Sequence, residues 1–354
     1  MLPLLLVIRA EAKDVRCGHE LVQPDLPKSA QRLPVTSFLW DPLAKTVVGS
    51  QQRHLLRQRE TLLDVARNYR LGFNELQDLH PSIDPWIPPA GMSLPLPSQW
   101  VLPESSHHDL VINVAELRLY RFMKVNGHAV VQTFPIGIGD VDWPTPTGEY
   151  RITSKLVHPT WIVPPSLRDK YAVKSIPPGP DNPLGDYWMG LGGSHYGIHG
   201  TDIPWSVGRL VTRGCIRLYP EDIEYLFNTV DLSATVKLIY EPVKIGRLSR
   251  RIFAEVHPDV YGLIDDFTDY GLQRLHDSGW SRLVDEAGFR KALAGKKGIP
   301  TDVTAADPEM AQSDVRSTGG AAEGPAPRHR PGQVGLARGR IDGKRDPGTP
   351  RSVD

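Results

Sequence analysis

A mainly β protein, with a small α+β unit ahead of the β region and a helical extension behind it, is the fold class this 354-residue sequence predicts. Three observations carry it. Glycine (32) and proline (33) exceed their usual share, and so many of them call for many turns. Between residues 109 and 240 apolar and polar residues alternate with the period of two that half-buried strands require. Apolar residues at helical spacing are concentrated near 60–79 and 250–300.

Taken in order, residues 1–45 form an N-terminal segment. Leu2 to Ile8 is apolar, and Ala10-Glu11-Ala12 resembles a small-residue cleavage site, but the basic region of a secretory signal is missing. The segment reads either as the remnant of such a signal or as an ordinary terminus. It is far short of the ~20 apolar residues that span a bilayer. In 46–57, Thr46 to Gly49 and His54 to Leu56 read as a short strand pair. Leu62, Val65, Ala66 and Tyr69 then fall at helical spacing, with Gly72 as the expected C-cap. Asn74 is the expected N-cap of a second helix over Glu75 to Leu79. Pro81, Pro85, Pro88 and Pro89 break the chain before a last strand at Met92 to Leu96. Residues 46–98 are thus a βααβ unit, and 99–108 a polar linker.

In the main region, 109–242, strands are expected at Asp109 to Val114, Leu117 to Phe122 and Ala129 to Phe134. Asn126-Gly127 makes the hairpin turn between the last two. Gly148 to Ser154, Tyr196 to His199, Cys215 to Leu218 and Thr235 to Tyr240 read as further strands, mainly antiparallel. Pro220-Glu221-Asp222 opens a helix, with proline and acids in its first turn. Residues 158–190 are a long proline-rich insertion. Residues 243–300 are expected to be an accessory helical segment, with Val260, Leu263, Ile264, Phe267, Trp280 and Leu283 at helical spacing. Residues 301–354 lack aromatics and are expected to stay disordered.

Composition excludes some functions. Lys+Arg and Asp+Glu both number 41, and this zero net charge argues against a partner bound through phosphate neutralisation, so no nucleic acid is expected. Two cysteines, Cys17 and Cys215, do not build a disulfide scaffold. A lone cysteine that escapes bridging is a candidate nucleophile, and a Cys17–Cys215 bridge would predict inactivity.

The chemistry concentrates in Tyr196-Gly-Ile-His199-Gly200-Thr201 and Thr212-Arg213-Gly214-Cys215-Ile216-Arg217-Leu218. A thiol near its reference pKa of about 8.5 is a poor nucleophile at neutral pH, and a neighbouring His can accept its proton. His199 ends a strand at Gly200, which can leave its ring at a sheet edge. Gly214 lets the backbone turn sharply before Cys215. The backbone N–H groups of Cys215 and of Gly214 or Arg213 could then face a developing oxyanion. Arg217, two residues on and on the same strand face, could hold a substrate carboxylate. The residues by themselves leave a buried structural Cys and a satisfied His as the alternative.

Those two segments resemble the signature of the L,D-transpeptidase catalytic domain of the YkuD type. Pro135-Ile-Gly-Ile-Gly139, Thr145-Pro-Thr-Gly148-Glu-Tyr-Arg-Ile and Pro177 to Gly185 resemble it as well. The resemblance spans about 109–242. It implies a β-sandwich catalytic domain with Cys215 as nucleophile and His199 as acid–base group. Gly214, Arg213, Arg217, Gly200 and Thr201 would form the oxyanion and substrate site. It further implies attack on a peptidoglycan tetrapeptide stem, release of D-alanine, and transfer of the thioacyl group to an amine. A second stem would give a 3→3 crosslink, a lipoprotein lysine an anchored protein, and water an L,D-carboxypeptidase. Such work lies outside the cytoplasmic membrane, in the periplasm, and needs no cofactor.

The chain departs from the family pattern at Arg213, where the motif has His. The added charge is expected to lower the Cys215 pKa, and the substitution leaves an inactive relative as the alternative. Trp161, Tyr187 and Trp188 are candidate lid residues. The βααβ unit resembles a LysM glycan-binding domain at Glu60-Thr61-Leu62, Ala66, Tyr69, Gly72, Asn74-Glu75-Leu76 and Pro89-Ala90-Gly91. This leaves an inert wall-binding protein as a second reading. A zinc site from His195, His199, His158 and Cys215 is disfavoured, because Gly197 and Gly200 argue against the helix that would align the first two. No metal is expected.

Overall fold

The computed structural model describes residues 35–104 and 107–306. The expected signal remnant, Cys17 and the tail beyond 306 lie outside the described residues. No helix among the described residues is long and apolar enough to cross a membrane.

The chain opens with β1 (Ser37–Leu39), β2 (Val47–Gly49) and β3 (Gln52–Leu55), followed by α1 (Leu62–Asn68), α2 (Phe73–Leu79), β4 (Ser93–Leu96) and β5 (Gln99–Val101). The expected βααβ order is present, with three corrections. β2 and β3 do not pair with each other: β3 pairs with β4, and β2 with β5. Residues 99–101 are therefore a strand, with Trp100 and Val101 buried, instead of a polar linker. Gly72 begins α2 instead of closing α1. Its N–H donates to the Glu75 carboxylate at 2.6 Å, half of a capping box, while Arg70 takes the left-handed conformation that follows α1 (φ 55°). Asn74 lies inside α2 and donates to the Glu116 carbonyl. Thr61 caps α1 through a reciprocal bond with Asp64.

The main region holds β6 (Leu110–Asn113), β7 (Arg118–Val125), β8 (His128–Pro135), β9 (Ile138–Gly139) and β10 (Gly148–Val157). It continues with β11 (Trp161–Ile162), α3 (Arg168–Tyr171), β12 (Ser175–Ile176), β13 (Tyr187–Leu191), β14 (Gly197–His199), β15 (Leu210–Thr212), β16 (Ile216–Arg217), α4 (Pro220–Thr229) and β17 (Thr235–Ile239). Nine strands form one sheet in the order β1-β8-β7-β6-β17-β10-β13-β14-β16. The Asn126-Gly127 turn is as expected, both residues having positive φ (50° and 81°) between the paired Val125 and His128. The sheet is mixed: β6–β17 and β14–β16 are parallel. Its two halves share one apolar core. Leu110, Ile112, Leu119 and Phe134 from one half meet Ile152, Met189, Ile198 and Ile216 from the other, with Ile223 and Leu226 of α4.

The proline-rich insertion is shorter than expected, because Tyr187 begins β13 inside the sheet. The C-terminal segment is also corrected. β18 (Val243–Leu248) and β19 (Arg251–Val256) form a hairpin, and β20 (Thr301–Asp302) adds to it. α5 (Phe267–Asp277) and α6 (Glu286–Gly295) pack on this sheet around Phe289 and Leu293. Val260, Leu263 and Ile264 lie in the connecting loop. Residues 301–306, expected to be disordered, instead complete this module, with Val303 buried.

Candidate active site

The site is built where β13, β14 and β16 lie side by side. In the parallel pair, Ile198 faces Ile216 and His199 faces Arg217. Side chains alternate along a strand, so Cys215, His199 and Arg217 share one face. Trp188 stands opposite His199 in the antiparallel β13–β14 pair. Its indole lies on the imidazole, ring centroids 5.8 Å apart and 18° from parallel. It also fills the space above Gly197, where a Cβ would come within 2.3 Å of the indole. Trp188 is thus a fixed wall of the site, not a lid. Tyr187, its neighbour in the strand, packs on Phe227 (4.9 Å between centroids) and bonds Glu224 of α4, away from the site.

Gly214 supplies the turn that presents Cys215. Its φ of 93° suits only glycine, and a Cβ there would sit 2.4 Å from the Tyr196 ring. The turn is fixed from both ends. The Thr212 hydroxyl donates to the Cys215 carbonyl at 2.6 Å, and Arg217 exchanges two backbone bonds with Gly137 (2.7 and 2.9 Å). The N–H groups of Arg213, Gly214 and Cys215 find no acceptor among the described residues. Three consecutive backbone donors next to the thiol are thus left without a protein acceptor among the described residues.

His199 is buried, and its Nδ1 lies 2.7 Å from the Gly200 carbonyl oxygen. That oxygen can only accept, so Nδ1 carries the proton and Nε2 is the basic nitrogen. Burial, with the Arg217 charge, brings the ring down to about 3, against the pull of the Gly200 and Leu184 carbonyls. Burial likewise pushes the Cys215 thiol up to about 11, opposed by the Gly197 backbone and Arg217. The resting pair is therefore a neutral thiol and a neutral imidazole, and Cys215 is a free cysteine. This corrects the expectation of a lowered thiol pKa. Arg213 does not act on Cys215: its guanidinium lies 4.8 Å over the Trp143 ring and donates to Ser166 Oγ at 2.8 Å. It straps the insertion to the 140–145 loop instead.

Arg217 is the cation of the site. One Nη donates to Ser206 Oγ at 3.0 Å, while its buried Nε has no partner among the described residues. Asp202 and Tyr171 are close enough to act on its charge. Tyr171 carries Trp161 against it edge to face, ring centroids 4.9 Å apart, so Trp161 reaches this neighbourhood through the insertion. Gly200 and Thr201 are buried and serve the protein's own geometry. Gly200 orients His199, and the Thr201 hydroxyl accepts the Ile203 N–H at 2.9 Å. Of the weighed zinc ligands, His158 bonds to Asp186 at 3.2 Å and His195 lies on an exposed turn, neither beside Cys215. Ser206 and Asp202 escaped the sequence reading, since only the folded chain brings them to Arg217.

Comparison with known proteins gives the family. The profile of the YkuD L,D-transpeptidase catalytic domain matches residues 107–245. "Probable L,D-transpeptidase YcfS" of Escherichia coli K12 is 34% identical over 295 residues, covering 77% of this chain and 91% of that protein. "Probable L,D-transpeptidase YbiS" of the same strain is 37% identical over 186 residues, 51% of this chain and 60% of that one. Among solved structures, the catalytic domain of an Enterococcus faecium L,D-transpeptidase matches with a TM-score of 0.30 and 20% identity, covering 39% of this chain and all of that one.

Proposed function

Since the chain belongs to the L,D-transpeptidase family, we propose that Cys215 is the nucleophile of a thioacyl transfer on peptidoglycan tetrapeptide stems. The observation that carries this reading is the shared strand face of Cys215, His199 and Arg217 beside three unmet backbone donors. Arg217 pairs with a substrate carboxylate. As Cys215 Sγ attacks the carbonyl of the third stem residue, its proton passes to His199 Nε2. The carbonyl oxygen gathers charge against the N–H groups of Gly214 and Cys215. The C–N bond then breaks, and D-alanine leaves with the proton that His199 held. An amine acceptor attacks the thioester, gives its proton to His199, and restores the thiol as the new amide forms. A stem amine gives a 3→3 crosslink, a lipoprotein lysine an anchored protein.

The resting pKa values fit such a cycle. A thiol at about 11 and an imidazolium at about 3 do not exchange a proton spontaneously, so charge develops only with bound substrate in place. In this reading the Trp161–Tyr171 pair covers the bound stem. The βααβ unit holds the glycan of the same polymer, which its exposed Trp86, Ile87 and Met92 support. The protein acts after export, in the periplasm.

Incubation with purified disaccharide-tetrapeptide tests the reaction. Free D-alanine and a crosslinked dimer are expected by mass analysis. Tripeptide alone would mean a carboxypeptidase, and unchanged substrate an inert wall-binding protein. A carbapenem should add its mass to the wild-type chain and not to Cys215→Ala; an undiminished adduct on that variant places the nucleophile elsewhere.

A further inference from the structure

The C-terminal module is not a separate appendage, because one of its side chains reaches the 139–145 loop that packs against the nucleophile turn. Tyr261 lies between β19 and α5. Its hydroxyl donates to the Gly139 carbonyl at 2.7 Å and accepts the Thr145 N–H at 3.1 Å. Thr145 Oγ1 in turn accepts the Gly139 N–H at 2.9 Å. The Tyr261 hydroxyl and the Thr145 side chain thus satisfy both backbone groups of Gly139 and lock the end of β9.

That end of β9 is the floor of the oxyanion turn. Gly139 pairs with Thr212 in the β9–β15 ladder, and the Asp140 N–H donates to the Thr212 carbonyl at 2.9 Å. Thr212 holds the Cys215 carbonyl. A Cβ on Gly139 would come within 2.9 Å of the Gly214 nitrogen, so the two backbones run in contact.

Tyr261 is itself held tightly. Its ring stacks on Tyr240, ring centroids 6.0 Å apart and 15° from parallel, and its N–H donates to the Tyr240 hydroxyl at 3.1 Å. Asp259 accepts from Tyr240, Leu263 and Ile264 and so fixes the loop that carries Tyr261.

We propose that Tyr261 is a positioning residue for acyl transfer, by which the C-terminal module sets the backbone N–H groups of Gly214 and Cys215 at oxyanion distance. This rests on the thioacyl reading above. Two probes of the same thiol separate the roles. A carbapenem carbonyl becomes an oxyanion when Cys215 attacks it, whereas alkylation by iodoacetamide displaces iodide and forms none.

In the full chain, Tyr261→Phe keeps the ring stack and removes the hydroxyl. Its maximal carbapenem acylation rate should fall about tenfold or more, since an oxyanion donor is worth about 10²–10³ and a misplaced one loses part of that. The half-saturating concentration and the iodoacetamide rate should hold. Thr145→Ala should reproduce the loss and Thr145→Ser restore it, and this pair carries the test if Tyr261→Phe does not fold. Acylation of Tyr261→Phe at the wild-type rate overturns the positioning role. So does an equal fall in acylation and alkylation, which would mark a merely structural contact. A wild-type chain that takes no carbapenem overturns the catalytic reading itself, and this inference with it.

Discussion

At Cys215 the governing fact is burial. The same strand register that brings His199 and Arg217 beside the thiol leaves it only partly exposed, and desolvation outweighs the nearby cation. The sign follows from the charge formed. A thiolate is the charged form of Cys, so burial raises that pKa to about 11; an imidazolium is the charged form of His, so burial lowers that one to about 3. With both groups neutral from pH 5 to 9, the reactive thiolate grows about tenfold for each pH step of one. The iodoacetamide rate of the free protein is therefore expected to climb steadily from pH 6 to 10, with no second inflection near 6.5 from His199. A plateau by pH 8 would mean that an ion pair, not a neutral pair, is the resting state. Type and spacing alone left Cys215 and His199 open to a purely structural reading; the family resemblance singled them out with Arg217, and the strand register brings the three to one face. Their protonation was not, because desolvation depends on what covers them, and Trp188 comes from a strand that the sequence disguised.

That strand, β13, shows how an element carries more than its own residues. It follows the glycine- and proline-rich run 177–185, whose turn signals hid it, and Tyr187-Trp188 read as part of a loop. Once paired between β10 and β14, it sends Tyr187 to α4 and Trp188 onto the imidazole. Strands with clean alternation and a strong turn, such as β7 and β8 around Asn126-Gly127, were legible because their signals are local. The β18–β19 hairpin was not read because apolar spacing further on, from 260, suggested helix across the whole segment. Trp188→Ala would take away the indole that shields His199 and admit water. The prediction is that the His199 ring pKa, read from its carbon-bound protons by NMR, rises from about 3 toward the ordinary 6.5 by more than one pH unit. If the ring still fails to titrate above pH 4, the shielding comes from elsewhere in the fold.

Across the whole molecule, the three sequence regions are joined by charges inside the protein. Glu75 of α2 binds Arg118 of β7 and the Trp100 indole. Lys244 of β18 donates to Glu116 at 2.6 Å, to Glu255 of β19 at 3.1 Å and to the Val101 carbonyl of β5 at 2.8 Å. His257 bonds Glu255 at 2.8 Å, and the Tyr120 hydroxyl donates to Glu116. All these charged groups are essentially inaccessible to water. Glu116, Glu255 and His257 come close enough together to hold a cation, and the Lys244 ammonium fills that role. None of this was legible in the sequence, where a charged residue reads as surface and its partner lies up to 128 positions away, as for Lys244 and Glu116. The network ties the βααβ unit, the catalytic sheet and the C-terminal module, and with it Tyr261, into one body. Its worth is tested by Lys244→Met, which fills the space of the lysine stem but leaves the buried Glu116 and Glu255 carboxylates without the ammonium between them. Breaking a buried pair in this way costs about 3–5 kcal/mol. Because the network spans all three regions, the loss is expected in one shared urea transition, seen alike by Trp fluorescence and by far-ultraviolet circular dichroism. A loss under about 1 kcal/mol, or a C-terminal module that melts apart from the rest, would show that packing and not this network unites the molecule.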